Sequence, residues 1–128
     1  MSAIEHEIDS QPSLWRRSAE LARAAPEELP PLGSRLAVIG CGTSHHMADA
    51  YGAAREAWGA GETDAFAASE SPRGRHYDAV LAISRSGTTT EVVSALNALP
   101  ASVPTYALVG VGGTPIARAV DQIGRAHV

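Results

Sequence analysis

Leu36-Ala37-Val38-Ile39-Gly40-Cys41-Gly42-Thr43-Ser44 is the stretch on which the fold of this 128-residue chain turns. An unbroken apolar run of strand length is what a strand covered on both faces requires. The glycines that follow let the backbone turn sharply into a helix opened by two hydroxyl residues. Downstream, the same punctuation returns. Apolar runs at residues 64–68, 78–84 and 105–109 alternate with helical patterns at about 44–59, 90–99 and 115–120. Short buried strands separated by amphipathic helices predict an α/β fold: a three-layer, doubly wound parallel sheet. In such sheets ligands sit beyond the carboxyl ends of the strands, so the segments after Gly40, Ala68, Ser84 and Val109 are where a site is expected.

Upstream, residues 10–25 read as a helix. Asp9 or Ser10 is placed to cap it and Pro12 suits its first turn, while Leu14, Trp15, Ser18, Leu21, Ala22 and Ala25 fall on one stripe. Pro26, Pro30, Pro31 and Gly33 then end it in a stiff connector. Residues 1–33 are thus a helical arm and linker, and residues 34–128 form the domain. Trp15 and Trp58 fit helix faces packed on neighbours.

Composition narrows the function. Hydrophobic residues make up 45% and charged ones 19%, enough for one domain with its own core. Ten Lys+Arg against fourteen Asp+Glu give a formal charge of −4, which argues against a nucleic-acid partner. Cys41 is the lone cysteine, which fits a reducing compartment, so a cytoplasmic location is expected. No stretch approaches the ~20 apolar residues of a membrane span, and no leader is expected.

Two loops carry chemistry. Gly40-Cys41-Gly42-Thr43-Ser44 allows close backbone approach to a ligand at a helix start; a plain glycine turn with Ser44 as cap reads equally well from the pattern. Ser84-Arg85-Ser86-Gly87-Thr88-Thr89-Thr90-Glu91 places five hydroxyl residues in the seven positions 84–90, again at a helix start. A phosphate needs several small donors converging, and free N–H groups with hydroxyls supply them. A capping box from Thr88 to Glu91 explains one hydroxyl but not five. The dinucleotide fingerprint G-x-G-x-x-G fails because position 45 is His45, and a P-loop fails because no lysine is near either loop. A nucleotide-binding fragment is the weakest reading.

The pairing of Ile39-Gly40-Cys41-Gly42-Thr43-Ser44 with Ser84-Arg85-Ser86-Gly87-Thr88-Thr89-Thr90-Glu91 resembles the SIS (sugar isomerase) domain. It is most similar to the first SIS half of the isomerase part of glucosamine-6-phosphate synthase and its fructosamine-phosphate deglycase and isomerase relatives. The resemblance implies a flavodoxin-like fold that binds a phosphosugar, of the fructose 6-phosphate or fructosamine phosphate class. It implies that Ser84, Arg85, Ser86 and Thr89 surround the phosphate, that Thr43 and Ser44 lie near the sugar hydroxyls, and that Gly42 permits close approach. Arg85 stands where the synthase has glutamine, which leaves the particular sugar open. A sensing module without turnover is the alternative function.

Among residues that invite a catalytic reading, Glu70 is a weak candidate base, and Glu91 is better explained by capping. His45 and His46 are adjacent, so they face different directions and read as structural. Cys41 reads as packing. No metal and no cofactor are expected. The resemblance places the catalytic glutamate in a second SIS half, so this chain is expected to be inactive alone. Residues 122–128 stand where the family would enter a fifth strand. Here the tail reads as truncated or altered, leaving four strands with an open edge. That edge and the apolar arm point to a homodimer or a larger assembly.

Overall fold

A computed structural model describes residues 2–71 and 74–125 of the chain. Five parallel strands form one sheet in the order β2-β1-β3-β4-β5. They are β1 (Leu36–Gly40), β2 (Thr63–Ala67), β3 (Ala79–Ser84), β4 (Thr105–Val109) and β5 (Gln122–Arg125). Helices α1 (Ala3–Ala24), α2 (Thr43–Ala57), α3 (Thr90–Asn97) and α4 (Pro115–Ala119) complete the fold, with 3-10 turns at Pro26–Glu28 and Ala68–Glu70. The order is that of flavodoxin-like sheets.

Alternation along each strand sorts the core into two layers. Ala37, Ile39, Val80, Ala82, Ala107 and Val109 meet Val92 and Leu96 of α3 and Ile116 of α4. Leu36, Val38, Ala79, Leu81 and Tyr106 point the other way, toward Ala48 of α2. β1 is buried at every position because it lies between two neighbours and under helices on both faces, whereas edge strand β2 is only half-buried beyond Thr63. Each large side chain fully buried in this centre contributes about 1.5–3 kcal/mol.

The expected four-stranded sheet with an open β4 edge is corrected by β5, which pairs in parallel from Tyr106↔Gln122 to Val109↔Arg125. Asp121 starts it. Its carboxylate accepts from the Thr105 N–H (2.9 Å) and hydroxyl (3.1 Å), while its own N–H donates to the Thr105 hydroxyl (3.0 Å). The last three residues of the predicted tail, 126–128, lie outside the described residues.

The arm also differs from expectation. Helix α1 begins at Ala3, not near residue 10, because Ser2 and Glu5 form a reciprocal capping box: Ser2 N–H to Glu5 Oε2 at 2.7 Å, Glu5 N–H to Ser2 Oγ at 3.2 Å. Pro12 therefore lies inside the helix. No residue of α1 is buried; Trp15 is 66% exposed and Trp58, at the end of α2, is 87% exposed, so neither packs as expected. The connector is anchored by Arg55, a buried guanidinium that donates to the Pro31 carbonyl (2.9 Å), the Ser34 carbonyl (2.9 Å) and hydroxyl (3.0 Å), and the Thr63 hydroxyl (2.9 Å).

Candidate functional site

Strands β1 and β3 are neighbours, yet the chain leaving β1 enters α2 on one face of the sheet and the chain leaving β3 leads to α3 on the other. Diverging connections open a crevice at the carboxyl ends of these two strands, the topological switch point of a doubly wound sheet. Both hydroxyl-rich loops border it.

The first loop is shaped by its glycines. A Cβ at Gly40 would lie 2.8 Å from the Ser44 backbone, so the close approach of α2 to β1 admits no side chain there. Gly42 adopts φ +57° as the residue before α2, and no side chain caps the helix. Thr43 and Ser44 thus open the first turn beside the crevice, and the bland assignment of Ser44 as a cap does not hold.

In the second loop, Ser84 is buried at the end of β3. Its Oγ accepts from the Gly87 N–H (3.0 Å) and lies 3.2 Å from the Thr89 hydroxyl. The Ser86 hydroxyl accepts from the Thr88 N–H (3.2 Å) and hydroxyl (3.0 Å). The loop is tied to its surroundings through Gly87, which has φ +72° and whose carbonyl accepts from the Ile116 N–H (3.0 Å). A Cβ at Gly87 would collide with Thr114. The expected capping box is absent: Thr89 is the residue before α3, its side chain makes no capping bond, and Glu91 instead lines a second cavity of about 520 Å3 with Ser69, Ser71 and Arg75.

One open cleft of about 850 Å3 brings together Thr43, Ser44, Ser84 and Arg85. Gly42, Ser86 and Thr89 belong to the same two loops but are not among its lining residues. Ser86 and Gly42 are exposed, and Thr89 reaches the cleft through its contact with Ser84. Glu70 lies on the 3-10 turn beyond β2, exposed and outside the cleft lining. His45 and His46 stack with ring centroids 5.9 Å apart, and His45 lies 3.8 Å from Asp49. Half-buried Cys41 packs against the core and also lines the cleft. Among the described residues, no group of three or more His, Cys, Asp or Glu is placed to hold a metal.

The remaining wall is apolar and carries no signal in either loop motif: Met47, Ala50 and Tyr51 from α2, with Ile83 and Leu108 from the sheet. Burial pushes the Tyr51 phenol up from its usual range, and Arg55 beside it opposes that shift. Ser44, Met47 and Tyr51 recur at i, i+3 and i+7, a helical period that marks one face of α2 toward the cleft. Chemically, the arrangement offers two helix starts, converging hydroxyls and one guanidinium at an anion-sized opening, next to an apolar shelf.

No family model matches this sequence, and no curated protein matches it. Solved structures do resemble it. An E. coli CFT073 protein in complex with a sugar phosphate superposes with TM-score 0.72 at 20% identity, covering 100% of this chain and 76% of that one. The Vibrio vulnificus NanR protein complexed with ManNAc-6P gives 0.66 at 22% identity, over 99% and 52%. A tagatose-6-phosphate ketose/aldose isomerase from Escherichia coli gives 0.71 at 18% identity, over 97% and 40%. In some of these structures the chain spans only about a third of the length, 34% in one case. The shared architecture is the all-parallel, three-layer α/β sheet expected from the sequence.

Proposed function

We propose that this chain is a phosphosugar-binding domain of the SIS type, part of a sugar-phosphate isomerase or an aminosugar-phosphate-metabolising protein. The observation that carries the reading is the convergence of Thr43, Ser44, Ser84 and Arg85 on one cleft at the β1/β3 switch point. The N–H groups opening α3, the hydroxyls of Ser86 and Thr89, and the Arg85 guanidinium receive the phosphate. Thr43 and Ser44 meet the sugar hydroxyls, and Gly42 lets the backbone approach. Fold neighbours solved with bound sugar phosphates, ManNAc-6P in one of them, support that ligand class. Within the class we favour fructose 6-phosphate or a fructosamine phosphate, and a first-half position in a synthase- or deglycase-like protein. We assign the protein to the cytoplasm as a homodimer or larger assembly.

One observation favours binding without turnover by this chain alone. Moving a proton between adjacent carbons needs a positioned base. The residues lining the cleft include no carboxylate and no imidazole. A sensing role, in which sugar phosphate alters association with a partner, uses the same cleft.

Thermal unfolding tests the proposal. A ligand at about 100 times its Kd stabilises the folded state by about 2.7 kcal/mol, a shift of several degrees for a domain of this size. Fructose 6-phosphate or a fructosamine phosphate raises Tm, and fructose does not. Absence of any shift at millimolar sugar phosphate overturns the reading.

A further inference from the structure

Helix α1 is an amphipathic element without a cover in its own chain. Ile4, Ile8, Gln11, Trp15, Ser18 and Ala22 recur at alternating spacings of four and three, the seam of a helix that pairs with another helix. Ile4, Ile8 and Trp15 on that seam are 68%, 56% and 66% exposed. Isolated helices gain most of their stability from packing an apolar face, so a 22-residue helix with no buried residue calls for a partner.

The charges say which partner. Glu5, Glu7 and Asp9 make the first half of α1 acidic, while Arg16, Arg17 and Arg23 outweigh Glu20 in the second half. Part of this polarity suits the helix dipole. Its placement does more: at 100° per residue, Glu5, Arg16 and Arg23 fall on one flank of the seam, and Glu7 and Arg17 on the other. A parallel copy would set acid on acid and base on base. An antiparallel copy sets Glu5 near the partner subunit's Arg23 and Glu7 near the partner subunit's Arg17. The same alignment stacks large on small along the seam: Ile4 on the partner's Ala22, Ile8 on the partner's Ser18, Trp15 on the partner's Gln11.

Folding back within one chain is disfavoured by the connector. Arg55 holds the carbonyls of Pro31 and Ser34, and the Gly33 N–H donates to the Ala60 carbonyl at 2.6 Å, so the root of the arm is fixed against the domain. The arm belongs to the fold shared with solved structures, since the superposition on the E. coli CFT073 protein covers the whole chain.

We propose that α1 is the dimerisation element of this protein, pairing antiparallel with α1 of a second copy through the Ile4–Ile8–Trp15 seam, with acidic and basic halves in register. Because the pairing is two-fold, it closes at two copies and uses one surface twice.

Light scattering on the full chain at micromolar concentration reads the result. The parent is a dimer. Ile8→Glu with Trp15→Glu is a monomer that keeps the strand signal of the domain by circular dichroism, because neither residue is buried in it. A chain with Glu5, Glu7 and Asp9 changed to Arg, and one with Arg16, Arg17 and Arg23 changed to Glu, are each monomeric; mixed, they form a dimer. In a Cys41→Ser background, Ile4→Cys cross-links to an Ala22→Cys chain and not to itself. A monomeric parent, a dimer that survives Ile8→Glu with Trp15→Glu, or self-cross-linking of Ile4→Cys overturns the proposal.

Discussion

At the scale of single residues, the two serines of the second loop do different work. Ser86 is exposed and its hydroxyl is engaged only within the loop, whereas Ser84 is buried and holds the Gly87 N–H. Ser86→Ala and Thr89→Val each remove a donor to a charged acceptor, a loss of about 1.5–3 kcal/mol in binding. Isothermal titration with a sugar phosphate therefore shows Kd rising about tenfold to a hundredfold with Tm unchanged. Ser84→Ala lowers Tm as well, because the buried Gly87 N–H loses its partner. Arg55 is the corresponding structural residue. Its replacement by Met leaves the Pro31 and Ser34 carbonyls unsatisfied at the root of the arm and costs about 2–3 kcal/mol by urea denaturation. Neither division of labour is legible in sequence. Five hydroxyls in seven positions reveal a cradle, but only the fold shows which of them is turned inward, and Tyr51 and Met47 emerge as cleft residues only once α2 is seated on the sheet.

Among the elements, strands are easier to read than caps. Continuous apolar runs locate β1, β3 and β4 because burial on both faces leaves no polar position to obscure the period. β5 escapes such a reading because Gln122-Ile123-Gly124-Arg125 has no apolar run; its pairing is set by Asp121, a polar contact that hydrophobic patterning does not register. Asp78 repeats the device, accepting from the Arg35 N–H at 2.8 Å just ahead of β3. Asp121→Ala should therefore release the edge, and amide exchange in β5 accelerates while that in β1 and β3 does not change. The start of α1 is obscured for a related reason: Ser2 and Glu5 cap it with no apolar residue adjacent, while Pro12 imitates a helix start. The Ser2 backbone N–H, followed by its hydroxyl, holds the Glu5 carboxyl below its ordinary value of 4.5. A depressed carboxyl pKa favours the helix above the unfolded value, and the benefit fades as pH falls through the lower folded one. Helical signal then declines on acidification below pH 4.5, and Ser2→Ala flattens that decline; an identical profile in Ser2→Ala contradicts the assignment.

For the whole molecule, the topology carries the functional argument. Sheet order β2-β1-β3-β4-β5 puts both hydroxyl loops at one switch point, a juxtaposition that two motifs about forty residues apart imply only if the intervening strand goes to the edge. The same topology leaves Glu70 beyond the cleft lining, so the chain alone is expected to bind a phosphosugar without moving its protons. Proton exchange at C2 of fructose 6-phosphate in D2O stays at the uncatalysed rate; exchange that disappears in Glu70→Gln would show a base within the chain. The central claim, that a sugar phosphate sits between the ends of β1 and β3, is tested most directly by amide chemical shifts during titration. Fructose 6-phosphate should move the resonances of residues 40–44 and 84–90 together and saturably, with free fructose leaving them in place. Shifts confined to other segments, or none at millimolar ligand, contradict it.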